Sequence, residues 1–130
     1  MKVASQPAGW VGACHCRMCQ RWSGALFMCF PAPEADVTVD GPVRIYASSD
    51  FAERAFCATC GSHLWMRDKN TPGTNYELMP GLFDDAAGWS LRSEVYADQA
   101  MKAVDLRGDH PCATAAEYEA KHPHVEGGLS

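Results

Sequence analysis

Three cysteines packed as Cys14-His15-Cys16-Arg17-Met18-Cys19, and a pair in Cys57-Ala58-Thr59-Cys60-Gly61, are the residues of this chain whose spacing best suits chemistry. A C-x-C-x-x-C run turns back on itself tightly enough for three sulfurs to enter one small volume. Zinc takes thiolates in a tetrahedron at about 2.3 Å, and turn-forming C-x-x-C pairs are its usual donors. Cys reaches an ion with a single methylene, so neighbouring donors do not crowd one another. The spacing predicts metal ligands at Cys14, Cys16, Cys19, Cys57 and Cys60. Three thiolates on a divalent zinc leave a net charge of about −1, which makes a poor generator of hydroxide. An open fourth position on such an ion suits an incoming thiol, because coordination deprotonates thiols.

The composition narrows the classes that could use such a centre. A chain of 130 residues is long enough for one domain with a real core, and 47% hydrophobic with 21% charged residues is ordinary for a globular protein. A net charge of −5 argues against a nucleic-acid surface, which wants clustered Lys and Arg. No apolar run approaches the roughly 20 residues of a membrane span, and the first residues lack the charged-then-apolar layout of a signal peptide. The expectation is a cytoplasmic protein that binds neither nucleic acid nor membrane. Seven cysteines is an odd count, and five of them sit in two tight clusters, a pattern that favours reduced thiols and metal over a disulfide framework.

The elements that must position these thiols read mostly as short strands. Cys16 to Trp22 predicts a turn of helix closed by Ser23-Gly24. Ala25 to Phe30 is an apolar run ended by Pro31 and Pro33, which reads as a buried strand. Val37-Thr38-Val39 and Val43 to Ala47 alternate around Asp40-Gly41 and are expected to pair as a hairpin. Ala52 to Phe56 leads into the second cysteine pair and His63 to Met66 leaves it, giving strand, knuckle and returning strand. Tyr76 to Met79 and Ser93 to Tyr96 are further short strands. Ala113 to Lys121 has helix composition, stopped by Pro123 and Gly127-Gly128, so a short C-terminal helix and a loose tail from about residue 123 are expected. The architecture is expected to be mainly β, with metal stapling loops together in a single domain over residues 1–130.

These motifs, in this order, resemble the glutathione-dependent formaldehyde-activating enzymes, also called the S-(hydroxymethyl)glutathione synthase family. The resemblance is carried by Cys14 to Cys19 with Ser23-Gly24, by Tyr46 with Ser48-Ser49, by Arg54 to Ser62 with Leu64, and by Gly81-Leu82-Phe83-Asp84-Asp85. It implies packed antiparallel sheets, a fold shared with methionine-R-sulfoxide reductases and a zinc-binding chaperone of small GTPases. It also implies a zinc linked to activity on Cys14, Cys16 and Cys19, and a structural zinc on Cys57 and Cys60 completed by a C-x-C on a first strand. No metal ligand precedes Cys14 in this sequence, so that first strand is expected to be missing. A sheet edge uncovered in this way would invite pairing with a second copy, hence the expectation of a homodimer. The activity implied is a carbon-sulfur lyase reaction, in which glutathione adds to formaldehyde or the adduct is cleaved.

Two other classes fit some of the same residues. A non-catalytic zinc-binding interaction or chaperone module would close the first site with a fourth protein ligand. A redox enzyme resembling the methionine sulfoxide reductases would need a reactive thiol at Cys29 or Cys112, neither of which has neighbours that lower a thiol pKa. Cys29, in an apolar run, is expected to pack as a small hydrophobe, and Cys112 to be a loop thiol. His15 is expected to point away from the metal, His63 to be an ordinary strand histidine, and His110, His122 and His124 to be exposed. Arg17 and Arg21 flank the loop; they read first as solvated surface charges, and as a second reading their guanidinium forks match the carboxylates of glutathione. Trp22, Trp65 and Trp89 read as core residues or covers for the loops.

Overall fold

A computed structural model describes residues 2–125. Nine strands and two α-helices order the described residues: β1 Lys2–Ala4, β2 Trp10–Cys14, α1 Arg17–Ser23, β3 Phe27–Ala32, β4 Thr38–Asp40, β5 Val43–Ala47, β6 Ala52–Cys57, β7 His63–Asp68, β8 Tyr76–Leu78, β9 Ser90–Val95 and α2 Ala115–Lys121. The fold is mainly β, as the sequence predicts, with a short helix near its C-terminal end. The chain divides into two compact units, one running up to Gly9 and taking in Cys29–Trp89, the other comprising Trp10–Met28 and the chain from Ser90 onward.

The first unit is built on an antiparallel run of strands in the order β5-β6-β7-β8-β3. Its core is Phe30, Ala32, Ala55, Leu64, Trp65 and Leu78. Trp65 lies opposite Leu78 across β7 and β8, and Phe30 opposite the same Leu78 across β3 and β8, so one register brings both aromatics over one leucine. Trp89 and Phe83 close on Phe30 edge to face, with centroids at 4.9 and 5.3 Å. β5 is an edge strand, and Ile45 on it is 58% exposed.

Two expectations for this unit need correction. β4 and β5 do not pair with each other: β4 pairs with β1, Val39 opposite Val3, while β5 pairs with β6. Pro42, which follows the Asp40-Gly41 turn signal, has no N–H to give a hairpin ladder, and its carbonyl instead accepts from the Ala58 N–H at 2.9 Å. The apolar run also does not stop at Pro31. Proline's φ of about −65° is compatible with extended backbone, and β3 continues through Pro31 to Ala32.

The second unit joins β2 to β9 in parallel, where only antiparallel pairing was expected. A register shift after Val11 sets Ala13 opposite Glu94 and Cys14 opposite Val95. The chain then turns into α1. Cys16 caps that helix from an extended conformation, and Gly24 ends it at φ 100°, a left-handed backbone that glycine adopts without strain. α2 begins with a capping box, in which the Thr114 side chain accepts from Glu117 N–H while the Glu117 side chain accepts from Thr114 N–H. The loose-tail expectation falls partly on residues 126–130, which lie outside the described residues.

Candidate metal centre

The end of β2 and the first turn of α1 carry Cys14, Cys16 and Cys19, and their sulfurs lie within 4.8 Å of one another. Cys16 and Cys19 are buried and Cys14 is partly so. The helix start makes this convergence natural. As N-cap, Cys16 turns its sulfur back over the first turn, where it accepts from the Cys19 N–H at 3.4 Å. A backbone N–H aimed at sulfur favours a thiolate over a thiol. Without a cation the three sulfurs oppose one another's ionisation: hydrogen bonds with Cys16 and Cys19, then burial, push the Cys14 thiol well above its ordinary value. A donor set of three close, mutually repelling sulfurs is the kind a divalent cation resolves.

The loop that carries the sulfurs is held from behind by His15. Its backbone N–H donates to the Val95 carbonyl at 3.0 Å, and its carbonyl accepts from the Gln20 amide at 2.6 Å; that amide also reaches the Gln99 carbonyl at 2.8 Å. The imidazole is 1% exposed and meets Glu94, Nε2 to Oε1, at 2.6 Å. The other oxygen of Glu94 meets His110 Nε2 at 2.5 Å and accepts from the Cys112 thiol at 3.4 Å. Burial alone would raise Glu94; the hydrogen bonds from His110, His15 and Cys112 together outweigh it and hold the carboxyl below its ordinary value. As a carboxylate Glu94 can only accept, so each imidazole donates its Nε2–H. The two Nδ1 atoms are buried without a partner among the described residues.

Glu94 and its partners were not recognisable in the sequence. Glu94 and His15 are 79 residues apart, and an acid on an alternating strand ordinarily reads as solvent-facing. The expectation that His110 is exposed fails, since its side chain is 4% exposed. His15, expected to point away from the metal, is not solvent-facing: its buried imidazole meets Glu94 and does not join the sulfur group. The thiols of Cys29 and Cys112 are both engaged by carboxylates: Cys29 donates to Glu77 at 3.6 Å, and burial followed by the bond to Glu94 raises Cys112 above its ordinary value. Cys112 therefore lacks the lowered pKa a redox nucleophile needs. Just beyond Glu94, Tyr96 takes a left-handed φ of 54° and donates its hydroxyl to Glu119 at 3.1 Å. Burial, then Glu119 and the nearby Cys16 and Cys14, push the phenol far above its ordinary value, so it stays protonated.

Residues 1–99 match the family of glutathione-dependent formaldehyde-activating enzymes. The chain belongs to that family. It is also 39% identical, over 98 residues, to a protein of Schizosaccharomyces pombe named an uncharacterized lyase; the match covers 74% of this chain and 70% of that protein. The formaldehyde-activating family assignment takes in β1 through β9 and both cysteine loops, while the tail that supplies His110, Cys112 and α2 lies beyond it. No helix among the described residues is long and apolar enough to cross a membrane.

The second loop is the turn between β6 and β7. Cys57 ends β6 and is 3% exposed, whereas Cys60 is exposed. Two groups of described residues bring three or more Cys, His, Asp or Glu donors within 4.8 Å: Cys14 with Cys16 and Cys19, and Glu94 with His110 and Cys112. Neither includes Cys57 or Cys60. Two thiolates leave a zinc tetrahedron half made, and structural sites are nearly always closed by four ligands.

Proposed function

We propose that this chain forms or cleaves a thiol-aldehyde adduct of the S-(hydroxymethyl)glutathione type, as a carbon-sulfur lyase, at a zinc held by Cys14, Cys16 and Cys19. The observation that carries the reading is that the sulfur cluster stops at three: no fourth Cys, His, Asp or Glu donor joins it among the described residues. Three protein ligands and one open position are the pattern of catalytic rather than structural zinc. Bound there, zinc would supply a cation that lowers the pKa of a thiol at the open position.

The chain's own residues do the rest. Cys16, fixed as the cap of α1, and Cys14, fixed by the β2–β9 register, set the direction in which the open position faces. His15, tied to Glu94 and Val95, keeps the loop backbone from relaxing. Arg17 and Arg21, both exposed on α1, supply cations that suit the carboxylates of glutathione. In the forward direction the thiolate sulfur bonds to the carbonyl carbon, and the carbonyl oxygen takes a proton to become a hydroxyl. In reverse the hydroxyl gives up its proton to solvent as the C=O bond re-forms, the carbon-sulfur bond breaks with its electron pair returning to sulfur, and formaldehyde leaves. Cytoplasmic location and pairing of two copies belong to the same proposal.

The test is metal per chain by elemental analysis, with X-ray absorption to count sulfurs before and after excess glutathione. A zinc whose sulfur count rises from about three to about four with glutathione supports the open site. A closed, four-sulfur zinc that ignores glutathione overturns it in favour of an interaction module.

A further inference from the structure

The chain between β9 and α2 comes back to lie beside β9. Glu94 N–H donates to the Pro111 carbonyl at 3.0 Å and Ala113 N–H to the Glu94 carbonyl at 2.9 Å, a parallel bridge that sets Cys112 next to Glu94. Paired residues project to the same face of the backbone, and the Cys112 sulfur lies 3.4 Å from Glu94 Oε2. His110 Nε2 reaches the same oxygen at 2.5 Å. Gly108 makes room for that ring: a Cβ there would stand 2.9 Å from His110 Nδ1, and its φ of 132° is one that side chains rarely adopt. A sulfur, an imidazole nitrogen and a carboxylate oxygen thereby fall within 4.8 Å of one another. Glu94 and the His110 ring are buried, while Cys112 is open to solvent and gives an ion its way in.

We propose that Glu94, His110 and Cys112 form a second metal site, for one divalent cation of the zinc class, separate from the sulfur cluster. One carboxylate, one thiolate and a neutral imidazole cancel a divalent charge, so the bound ion leaves no net charge in a largely buried place. The thiolate and imidazole select zinc or cobalt over magnesium and calcium, which take oxygen donors. Donor atoms on a tetrahedral zinc stand roughly 3.3–3.7 Å apart. The sulfur–oxygen pair already has that separation. The nitrogen–oxygen pair has to open by about 1 Å, on a segment held by no helix or strand, as the cation replaces the shared proton. On binding, the Cys112 thiol gives its proton to solvent, and the ring proton of His110 moves from Nε2 to Nδ1, which has no partner among the described residues to lose. Oε1 of Glu94 keeps its bond with His15, so the cation ties the returning segment to β9 without releasing the brace of the first loop.

His110 and Cys112 lie beyond the residues matched to the family, and the site shares no donor with Cys14, Cys16 and Cys19, so either centre can fail without the other. The test is a cobalt(II) titration of the full, reduced, metal-free chain, read by the thiolate-to-cobalt charge-transfer absorption, which scales with the number of thiolates bound. The three-thiolate cluster should fill first and this site afterwards with one thiolate, adding about one third of the first increment. Cys112→Ser, at an exposed position, should lose one equivalent of cobalt and that one-thiolate increment, with the first increment intact. Gly108→Ala, which crowds His110, should weaken the same equivalent on the order of ten-fold and spare the first. Cys112→Ser that takes up as much cobalt as wild type, with the wild-type spectrum, overturns the proposal. So does a single later increment of about two thirds of the first that survives Cys112→Ser, because two thiolates are the signature of Cys57 and Cys60.

Discussion

Cys14, Cys16 and Cys19 lie where a parallel strand runs into a helix, whereas Cys57 and Cys60 lie in the turn of an antiparallel hairpin. In the first place the helix cap folds one sulfur back over the next, and a buried carboxylate with two imidazoles braces the loop. In the second, the hairpin turn buries Cys57, leaves Cys60 in solvent, and places a hydroxyl beside its sulfur. Identical side chains are thus given different chemistry by how many converge and what stands behind them. Three converging sulfurs, two of them buried, call for a cation. Two sulfurs, one of them exposed, leave a zinc tetrahedron half made.

The sharpest way to break this comparison is to remove one sulfur from each loop. Cys16→Ser should empty the first loop of zinc, with a loss of affinity beyond the about 10–100-fold that changes in supporting residues cost. Serine is a strong helix N-cap, so α1 should survive and the far-UV circular dichroism should stay the same. Adduct turnover above the spontaneous rate should vanish with the metal. Cys60→Ser should leave zinc at the first loop unchanged. Equal zinc loss in both variants, or none in Cys16→Ser, would sink the distinction.

Next in size is the brace. Glu94→Gln keeps the shape but replaces one acceptor oxygen with an amide NH2, which then faces a buried imidazole donor. Leaving such a group unsatisfied costs about 1–3 kcal/mol, readable as a lower denaturation midpoint. Zinc should still bind to Cys14, Cys16 and Cys19, but more weakly, because His15 no longer pins their loop. A variant as stable as wild type would show that the carboxylate does not hold the site together. Thr114→Ala tests whether the tail beyond Glu94 matters through α2: loss of the capping box should cost about 1 kcal/mol and leave zinc content unchanged.

Much of this layout was legible in the sequence, and the missing parts share a physical cause. The first helix, the β6–β7 hairpin and both cysteine loops were readable because local signals fix them: an N-cap and a C-terminal Gly24 for one, alternating strands around a C-x-x-C turn for the other. The pairing of β4 with β1 and the parallel register of β2 with β9 were not, because they join segments far apart in the chain with no turn between them. The same holds for the site. The ligating thiols announce themselves by spacing. Glu94 and His110 become visible only once the register sets Ala13 beside Glu94 and the loop after it folds back, with Cys112 bridging to Glu94.

The smallest effect lies in the hairpin unit, at Glu77 on β8, and it has a sign that can be checked. Burial pushes this carboxyl above its ordinary 4.5, and the bond from the Cys29 thiol only partly opposes that shift. The folded protein therefore holds the Glu77 proton more tightly than the unfolded chain. Its contribution to stability is fully present below the ordinary value and is lost as pH rises through the folded value. At neutral pH burial of this carboxyl is a liability, because the unfolded chain gives up its proton more readily. Glu77→Gln, whose amide oxygen can still accept from Cys29, should be more stable than wild type at pH 7 by about 1 kcal/mol or less. The gap should narrow as the pH falls toward 4.5. Denaturant titrations of both proteins across that range read the difference directly. A gap that widens with acid would mean that Glu77 is held as a carboxylate, and that Cys29 is a stronger donor than its 3.6 Å contact indicates.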